Sequence, residues 1–214
     1  FDNGITMTFA AYRNKTKDSI DFYNSRYYGP GNLPPIPPPL LFCFLFAPGT
    51  GPAACPNRGL AGLIPSDFSY RNIGETTDQG IELTFQQRVG TAWSWFVNGS
   101  WQDKPTFKGI DDAATSQNRP PEYRANLGLS FDNGGFFVNT NVNYQDEAYW
   151  ADVPIAVGST DAFTQVNLAV GFRVLDERMT LQIIGSNIFD EDIQQHYYGD
   201  ILSRKITGQV GFRF

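Results

Sequence analysis

Few residues of this chain have side chains suited to catalysis or metal binding. His196 is its single histidine, and the sequence contains no Gly-x-Ser-x-Gly, no His-Glu-x-x-His and no Gly-rich phosphate loop. Those motifs supply the nucleophile, the zinc ligands and the phosphate cradle of common enzyme classes. We therefore predict that the chain is not an enzyme and holds no metal or organic cofactor. We interpret His196, in the stretch QQHYYGD, as a surface residue.

The two cysteines, Cys43 and Cys55, lie close together in one loop-like stretch. A single close pair is typical of a disulfide formed in an oxidising compartment such as the periplasm. We predict a Cys43–Cys55 disulfide, with two free buried thiols as the alternative. No metal-ligand spacing accompanies them.

The most unusual connection spans residues 24–67 and carries a possible binding surface. PPIPPP at 34–39 is stiff, polyproline-like chain, and LLFCFLF at 40–46 is an apolar run too short to cross a membrane. We hypothesise that aromatic side chains of the connections bind a ligand, namely Phe42, Phe44, Phe46, Tyr149 and Trp150. The alternative is that the phenylalanines only pack this loop over the rim of the fold.

Two groups of carboxylates offer a further possibility, because Ca²⁺ prefers oxygen ligands. They are Asp146, Glu147 and Asp152, and Asp190, Glu191 and Asp192. We favour their interpretation as solvated loop charges, and the sequence therefore predicts no metal site.

The composition favours strands. Aromatic residues make up 15% of the 214 residues, and no window approaches the roughly 20 consecutive apolar residues of a membrane-spanning helix. A net charge of −6 without a basic patch argues against a nucleic-acid partner. The chain begins at Phe1 with neither a methionine nor a signal peptide. We therefore expect a processed or excised piece of a longer protein.

Apolar and polar residues alternate with a period of two, which puts successive side chains on opposite faces of a strand. The pattern recurs in eight segments: 5–12, 81–86, 93–102, 123–131, 136–145, 165–174, 179–186 and 205–214. One face is apolar and aromatic, which suits lipid, and the other is rich in Asn, Gln, Ser and Thr, which suits a hydrated lumen. Six residues are predicted to face that lumen: Arg124, Asn139, Asn141, Asn143, Arg173 and Arg213.

Short and long connections alternate along the chain. Tight turns follow one another around Asp2, Gly90, Asn133 and Glu177, and long links lie between them at 24–67, 105–121, 150–161 and 190–203. Outer-membrane barrels have short periplasmic turns and long extracellular loops. The sequence therefore predicts an all-β, antiparallel, up-and-down transmembrane β-barrel segment of about eight strands.

Several stretches resemble TonB-dependent receptors in chain order. They are FDNGITMTFAAYRNKTKDSI at 1–20, NIGETTDQGIELTF at 72–85, NRPPEYRANLGLSF at 118–131, GSNIFDEDI at 185–193 and GQVGFRF at 208–214. The last stretch is similar to the family's final strand, which implies that Val210, Phe212 and Phe214 form a signal for the barrel assembly machinery. The family's N-terminal plug and TonB box are not found, so residues 1–214 are predicted to be the C-terminal portion of the barrel.

The resemblance implies a function and a set of partners. It implies a receptor in the bacterial cell outer membrane that actively takes up a scarce nutrient: an iron–siderophore complex, cobalamin or an oligosaccharide. Its implied partners are outer-membrane lipid, the missing plug and barrel strands, TonB acting through the plug, and the small-molecule substrate.

Two alternatives remain open at this point. One is a self-contained eight-stranded barrel with a structural or adhesive role, and the other is a secreted soluble β-sandwich. If Thr6, Thr8 and Tyr12 paired with the final strand, eight strands would close into a barrel on their own. Two open edges would instead indicate part of a larger barrel.

Overall fold

In the computed structural model, residues 4–29, 31–32, 35, 65–109, 118–153 and 156–214 are described, and their regular structure is β throughout. No helix among them is long and apolar enough to cross a membrane. The strands are β1 (Ile5–Tyr27), β2 (Pro65–Val89), β3 (Trp93–Gln102), β4 (Thr106–Gly109), β5 (Tyr123–Asp132), β6 (Phe136–Gln145), β7 (Ala148–Val153), β8 (Ala156–Thr160), β9 (Phe163–Val174), β10 (Met179–Ser186), β11 (Ile193–Gln194), β12 (Ile201–Leu202) and β13 (Lys205–Phe212).

Nine strands form the main antiparallel sheet, and eight of them lie side by side in chain order, β1-β2-β3-β5-β6-β9-β10-β13. Strand β4 pairs with β2 beside this path, and β7-β8 and β11-β12 form two separate hairpins. Each principal strand thus lies next to its neighbours in sequence, as in an up-and-down barrel wall. The predicted fold class and the count of about eight strands are confirmed.

The strand register sorts the side chains into two faces. One row across six strands consists of Met7, Phe85, Val97, Leu127, Val142 and Val166. The neighbouring row, one residue along each strand, consists of Thr8, Thr84, Asn98, Asn126, Asn143 and Gln165. Because side chains alternate between faces, the first row lies on what we call the apolar face and the second on the polar face.

The apolar face is open rather than covered by a second layer. Phe9, Ile183 and Val210 expose 62%, 62% and 58% of their surface. Soluble monomers rarely leave so wide an apolar surface in water, since burying it would release free energy of about 25 cal/mol per Å². Lipid is the environment that such a face fits.

Aromatic rings line the apolar face where the short turns lie, which we call the short-turn end. Trp93 and Phe131 have ring centroids 4.6 Å apart, Phe131 and Phe136 6.1 Å, and Phe136 and Phe172 4.9 Å. The four rings belong to four consecutive strands of the sheet and form a continuous band. Such bands mark the interface between lipid and water in membrane barrels.

The predicted alternation of short and long connections is present. Residues 90–92, 133–135 and 175–178 join strands at the short-turn end, and each long connection joins strands at the other, long-loop end. Gly90 and Gly134 adopt φ values of 61° and 90°, a region that glycine enters without strain. The Asn133 side chain also accepts hydrogen bonds from the backbone N–H groups of Gly135 and Phe136.

Two predicted boundaries were wrong, because the first two strands are much longer than their alternating segments. Strands β1 and β2 stay paired far beyond residues 80–89, the part of β2 that pairs with β3. In this extension Lys15 Nζ lies 2.7 Å from Glu75 Oε1, and this hydrogen bond lowers the pKa of the Glu75 carboxyl. Away from lipid neither face has to be apolar, so the extension shows no alternation.

Regular structure also occurs inside links that were predicted only as loops. Strand β4 falls within 105–121, the β7-β8 hairpin overlaps 150–161, and the β11-β12 hairpin falls within 190–203. The β7-β8 and β11-β12 hairpins lie at the long-loop end, outside the main sheet, whereas β4 pairs with β2.

The sheet does not close on itself. Thr6, Thr8 and Tyr12 pair with β2, and over the described residues β13 pairs with β10 alone. The pairing that a self-contained eight-stranded barrel requires is therefore not observed.

Gly74 provides a test of the extension of β1 and β2. Its φ is 86°, and a Cβ atom there would lie 2.1 Å from the backbone oxygen of Lys108 in β4. Gly74→Ala is expected to separate β4 from β2 and to speed amide hydrogen exchange at 106–109. Gly90→Ala is the matched control, since Gly90 also has a positive φ but no atom within 4 Å of that position. The control should cost only about 1 kcal/mol of backbone strain. Equal exchange rates in the two variants would contradict the β2-β4 contact.

Candidate ligand site at the long-loop end

Three connections meet at the long-loop end beside β5 and β6. The segment before β5 joins strand β7 through two backbone hydrogen bonds, Arg119 N to Tyr149 O at 2.8 Å and Tyr149 N to Arg119 O at 3.0 Å. The Asn118 side chain accepts a further bond of 2.6 Å from Ala151 N. These bonds fix the β7-β8 hairpin against the sheet.

The third connection reaches this hairpin through aromatic contacts. The rings of Trp150 and His196 lie 4.3 Å apart, and Trp150 Nε1 donates to Thr160 Oγ1 at 3.2 Å. Tyr197 lies against Gly158, where a Cβ atom would be only 2.1 Å from the tyrosine ring. His196 is half-exposed and forms part of an aromatic cluster with Trp150 and Tyr198.

These elements enclose a cavity of about 400 Å³, which we call the arginine–aromatic pocket. Its walls include Arg119, Arg124, Gln145, Tyr149, Trp150 and Gln195. Cavities that bind small molecules commonly have volumes of about 300–1,000 Å³ and combine aromatic walls with a few polar groups. The pocket therefore brings two predicted ligand-binding residues, Tyr149 and Trp150, together with the predicted lumen residue Arg124.

Arg119 stands between this pocket and a smaller neighbour. Its guanidinium carbon lies 4.8 Å from the centre of the Tyr149 ring, in a cation–π arrangement. The smaller hollow shares Arg119 with the pocket and is also lined by Lys104 and by three carboxylates, Glu122, Asp146 and Glu147. The described residues that line the arginine–aromatic pocket include no carboxylate.

A larger hollow of about 650 Å³ lies against the polar face. Asn139 and Asn141 line it, and Asn143 lies on the same face in the row described above. On this face, polar side chains of neighbouring strands form hydrogen bonds with one another. Asn126 Nδ2 donates to Asn98 Oδ1 at 2.8 Å, Gln182 Nε2 donates to Gln209 Oε1 at 2.6 Å, and Ser130 donates to Asn139.

The other two predicted lumen arginines lie at the short-turn end. Arg173 shares the polar face and binds both carboxylate oxygens of Asp132, at 2.7 and 2.8 Å, while its guanidinium stacks on Phe137 at 4.8 Å. It therefore fastens β9 to the β5-β6 turn. Arg213 follows β13, where its backbone N–H donates to Arg178 O at 2.8 Å, and it is exposed.

A family model described as TonB dependent receptor-like, beta-barrel, matches residues 1–188. The chain belongs to the TonB-dependent receptor family. This is a family of receptors and transporters of the outer membrane of Gram-negative bacteria, not a family of enzymes.

Solved TonB-dependent receptors show the same fold. The FrpB iron transporter from Neisseria meningitidis (F3-3 variant) matches all of this chain over 30% of its own length, with a TM-score of 0.60 and 13% identity. The copper transporter OprC matches 99% of this chain over 29% of its own length, with a TM-score of 0.57 and 15% identity. The siderophore receptor PirA from Acinetobacter baumannii matches 98% of this chain over 30% of its own length, with a TM-score of 0.58 and 12% identity. The chain therefore spans about 30% of the length of these receptors.

Some predicted site residues of this receptor chain lie outside the described residues. They are Phe42, Phe44, Phe46, Cys43 and Cys55. Where the chain is described, no group of three acidic, histidine or cysteine residues could hold a metal ion. Two of the carboxylates considered for Ca²⁺ bind other groups: Asp190 pairs with Arg204 at 3.5 Å, and Glu191 accepts hydrogen bonds from Thr164 N.

The predicted assembly residues lie on the last strand of the sheet and directly after it. Val210 and Phe212 pair with Leu181 and Met179 on the apolar face, and Phe214 is fully exposed beyond β13. Sequence reasoning did not select Arg119, Gln145 and Gln195 for the pocket. They come from three separate segments of the chain, and no local pattern indicates that these segments meet.

Proposed function

We propose that residues 1–214 form the C-terminal strands of the barrel of a TonB-dependent receptor that actively imports a scarce nutrient across the bacterial outer membrane. The observation that carries the proposal is the open eight-stranded sheet with one apolar and one polar face. Transporters of this kind have 22-stranded barrels, so two free edges fit a wall that further strands complete. The polar face, with Arg124, Asn139, Asn141, Asn143, Arg173 and Arg213, then lines the lumen.

The remaining partners follow from this arrangement. A plug domain and the other strands lie upstream, TonB acts through the plug, and lipid covers the apolar face. Val210, Phe212 and Phe214 are the residues that the barrel assembly machinery recognises. Candidate nutrients are iron–siderophore complexes, cobalamin and oligosaccharides; similar solved structures are an iron transporter, a copper transporter and a siderophore receptor, which favours metal uptake.

Uptake by the complete receptor tests this proposal. Cells expressing the full-length protein are given ⁵⁵Fe-loaded siderophores, ⁵⁷Co-cobalamin and labelled oligosaccharides, with and without a functional TonB. We expect uptake of one class, lost without TonB and lost when residues 1–214 are deleted. A control for assembly is a compact band on unheated gels, which the full-length receptor should give. TonB-independent uptake of every compound, or none at all by an assembled receptor, would overturn the proposal.

A further inference from the structure

We infer that a depression on the apolar face binds one saturated acyl chain of the glycolipid in the outer leaflet of the membrane. The inference rests on the proposed function in one respect, namely that the apolar face meets lipid. It is argued from an uncovered glycine in the middle of the sheet, from the depth and size of the depression, and from the aromatic residues at its rim.

The depression is a hollow of about 570 Å³ across strands β2, β3, β5 and β6. Gly99 and Ala125 line it and lie directly opposite each other on β3 and β5. Leu83 and Tyr144 are the next residues of the same row, one on each side. The two smallest residues of this row are therefore neighbours, and the side-chain volume that they lack creates the hollow.

Gly99 differs from other glycines inside the sheet. Three of those glycines are covered by a side chain of a neighbouring strand: Gly80 by Tyr12, Gly128 by Phe96 and Gly171 by Phe137. A Cβ atom on Gly99 would lie 3.7 Å from the backbone oxygen of Arg124, and no described side chain beyond its chain neighbours would be within 4 Å. A glycine in a strand interior weakens the strand and often marks a position where a ligand approaches the backbone. Gly99 is thus open to a group from outside the chain.

The depression lies in the half of the apolar face nearer the long-loop end. Along β3 it extends from Val97 to Trp101, a distance of about 13 Å at the rise of a strand. Trp93, in the aromatic band at the short-turn end, lies as far again beyond Val97. Outer-membrane barrels have an apolar band about 25 Å tall and carry their long loops outside the cell. The depression therefore covers the outer half of this band, at the level of the acyl chains of the outer leaflet.

The size of the depression fits a hydrocarbon chain better than a protein. Across the strands it reaches from Leu83 to Tyr144, which is three strand spacings, or about 14 Å. Its footprint of about 180 Å² is far below the roughly 800 Å² that each partner buries in a stable protein complex. A second copy of the chain would therefore gain too little from this contact alone.

Packing determines which acyl chain binds. Lipid tails are as apolar as leucine, so within the membrane the hydrophobic effect does not favour one chain over another. An ordered chain gains dispersion contacts with Leu83, Phe85 and Val97, which an unfilled hollow would forfeit. A straight saturated chain can follow the hollow along its length, whereas a cis double bond bends a chain away from it. The saturated chains of the outer-leaflet glycolipid are therefore favoured over those of an unsaturated phospholipid.

Aromatic residues form the rim of the depression at the long-loop end. Trp101 and Tyr123 are cross-strand partners there, and Tyr123 exposes 50% of its surface. Trp101 Nε1 donates a hydrogen bond of 3.3 Å to Glu122 Oε1, and this bond holds the indole ring at the rim. A tyrosine at this level presents its apolar ring to the acyl chain and its hydroxyl to the polar headgroup. The rim thus suits the junction between the acyl chain and the headgroup of a lipid.

Native mass spectrometry of the delipidated full-length receptor in detergent tests the inference. The probes are lipid A, a glycolipid with saturated acyl chains, and dioleoylphosphatidylethanolamine, a phospholipid with unsaturated chains. Lipid A should bind at least about 10-fold more tightly than the phospholipid. Equal affinities, a preference for the phospholipid, or no retained lipid A would overturn the inference.

Variants place this binding in the depression. Ala125→Leu fills the hollow and should weaken the binding of one lipid A molecule by at least about 10-fold. Ala11→Leu is the matched control, because Ala11 is also exposed on the apolar face but lies on β1, outside the depression. It should retain as many lipid A molecules as the unaltered receptor. Gly99→Leu is a second filling variant, since its side chain meets no clash at the Cβ atom.

Three results with these variants would contradict the site. They are unchanged lipid A binding by a filling variant that gives the compact gel band, an equal loss in Ala11→Leu, and a receptor dimer that the filling variants dissociate. The last result would identify a second copy of the receptor as the occupant.

The outcome is separable from that of the proposed function. TonB-dependent uptake by a receptor that retains no lipid A would refute the acyl-chain site and leave the uptake function standing. Lipid A binding that Ala125→Leu abolishes, in a receptor without TonB-dependent uptake of any compound, would refute the uptake function and leave the lipid site intact.

Discussion

Replacing Leu127 by arginine is expected to reduce the stability of the barrel in a bilayer by about 2–4 kcal/mol, the cost of a charge on the lipid face near the midplane. Leu127 is the fifth residue of the ten-residue strand β5 and lies between Val97 and Val142 in the apolar row. It exposes 48% of its surface on that face. Lipid has no group that can solvate a guanidinium there.

Asn126→Arg is the matched control, because the adjacent position on the same strand points to the polar face. It removes one hydrogen bond, to Asn98, which contributes about 1 kcal/mol. Denaturant unfolding of the full-length receptor in phospholipid vesicles measures both variants. Equal losses at positions 126 and 127 would contradict the assignment of the two faces of β5 to lipid and to the lumen.

The alternation that underlies this comparison could be predicted from sequence, since the two faces meet different solvents. Every residue of the row from Met7 to Val166 is apolar, and every residue of the row from Thr8 to Gln165 is polar. Phe96 and Phe137 break the pattern on the polar face, and the structure explains both. Their rings cover Gly128 and Gly171 on the next strand, where a Cβ atom would lie 2.1 and 2.3 Å from the ring.

The pocket could not be predicted as a unit for a different reason. Its parts, around residues 119, 149 and 195, meet through contacts distant in sequence, and such contacts leave no periodic pattern. Tyr149 and Trp150 were chosen only as aromatic residues in a loop. Arg124 was recognisable because it is one of the few cations that the alternation places on the polar face. The extension of β1 and β2 was missed because its paired strands need no apolar face away from lipid.

The role of Asn187 also depends on contacts that leave no pattern in the sequence. Its replacement gives the second large expected effect. The residue lies in the GSNIFDEDI motif, is 1% exposed and adopts a φ of 50°, which asparagine tolerates better than most residues. Its Nδ2 donates to the backbone oxygens of Glu191 and Leu202, at 2.7 and 3.1 Å, and its Oδ1 accepts from Glu191 N at 3.1 Å. One side chain therefore ties both ends of the β10-β13 connection together.

Asn187→Asp is expected to destabilise this connection by about 2–4 kcal/mol. Aspartate keeps the volume and the acceptor of asparagine, but it brings a buried carboxylate oxygen against two carbonyl oxygens. Hydrogen exchange of the full-length receptor should then speed up by at least about 10-fold over residues 188–204, while β9 and β10 remain protected. Asn187→Gly, which removes the same bonds without straining a positive φ, should have a similar effect.

The connection also carries the third wall of the arginine–aromatic pocket, so Asn187→Asp should alter the walls of the pocket as well as local stability. Loosening it displaces Gln195 and removes His196 from Trp150, 4.3 Å away, whereas Arg119 and Arg124 stay on the other elements. If the amide hydrogens of residues 188–204 exchanged as slowly in Asn187→Asp as in the unaltered receptor, the hydrogen bonds of Asn187 would not stabilise this connection. The predicted effect on the pocket would then be wrong as well.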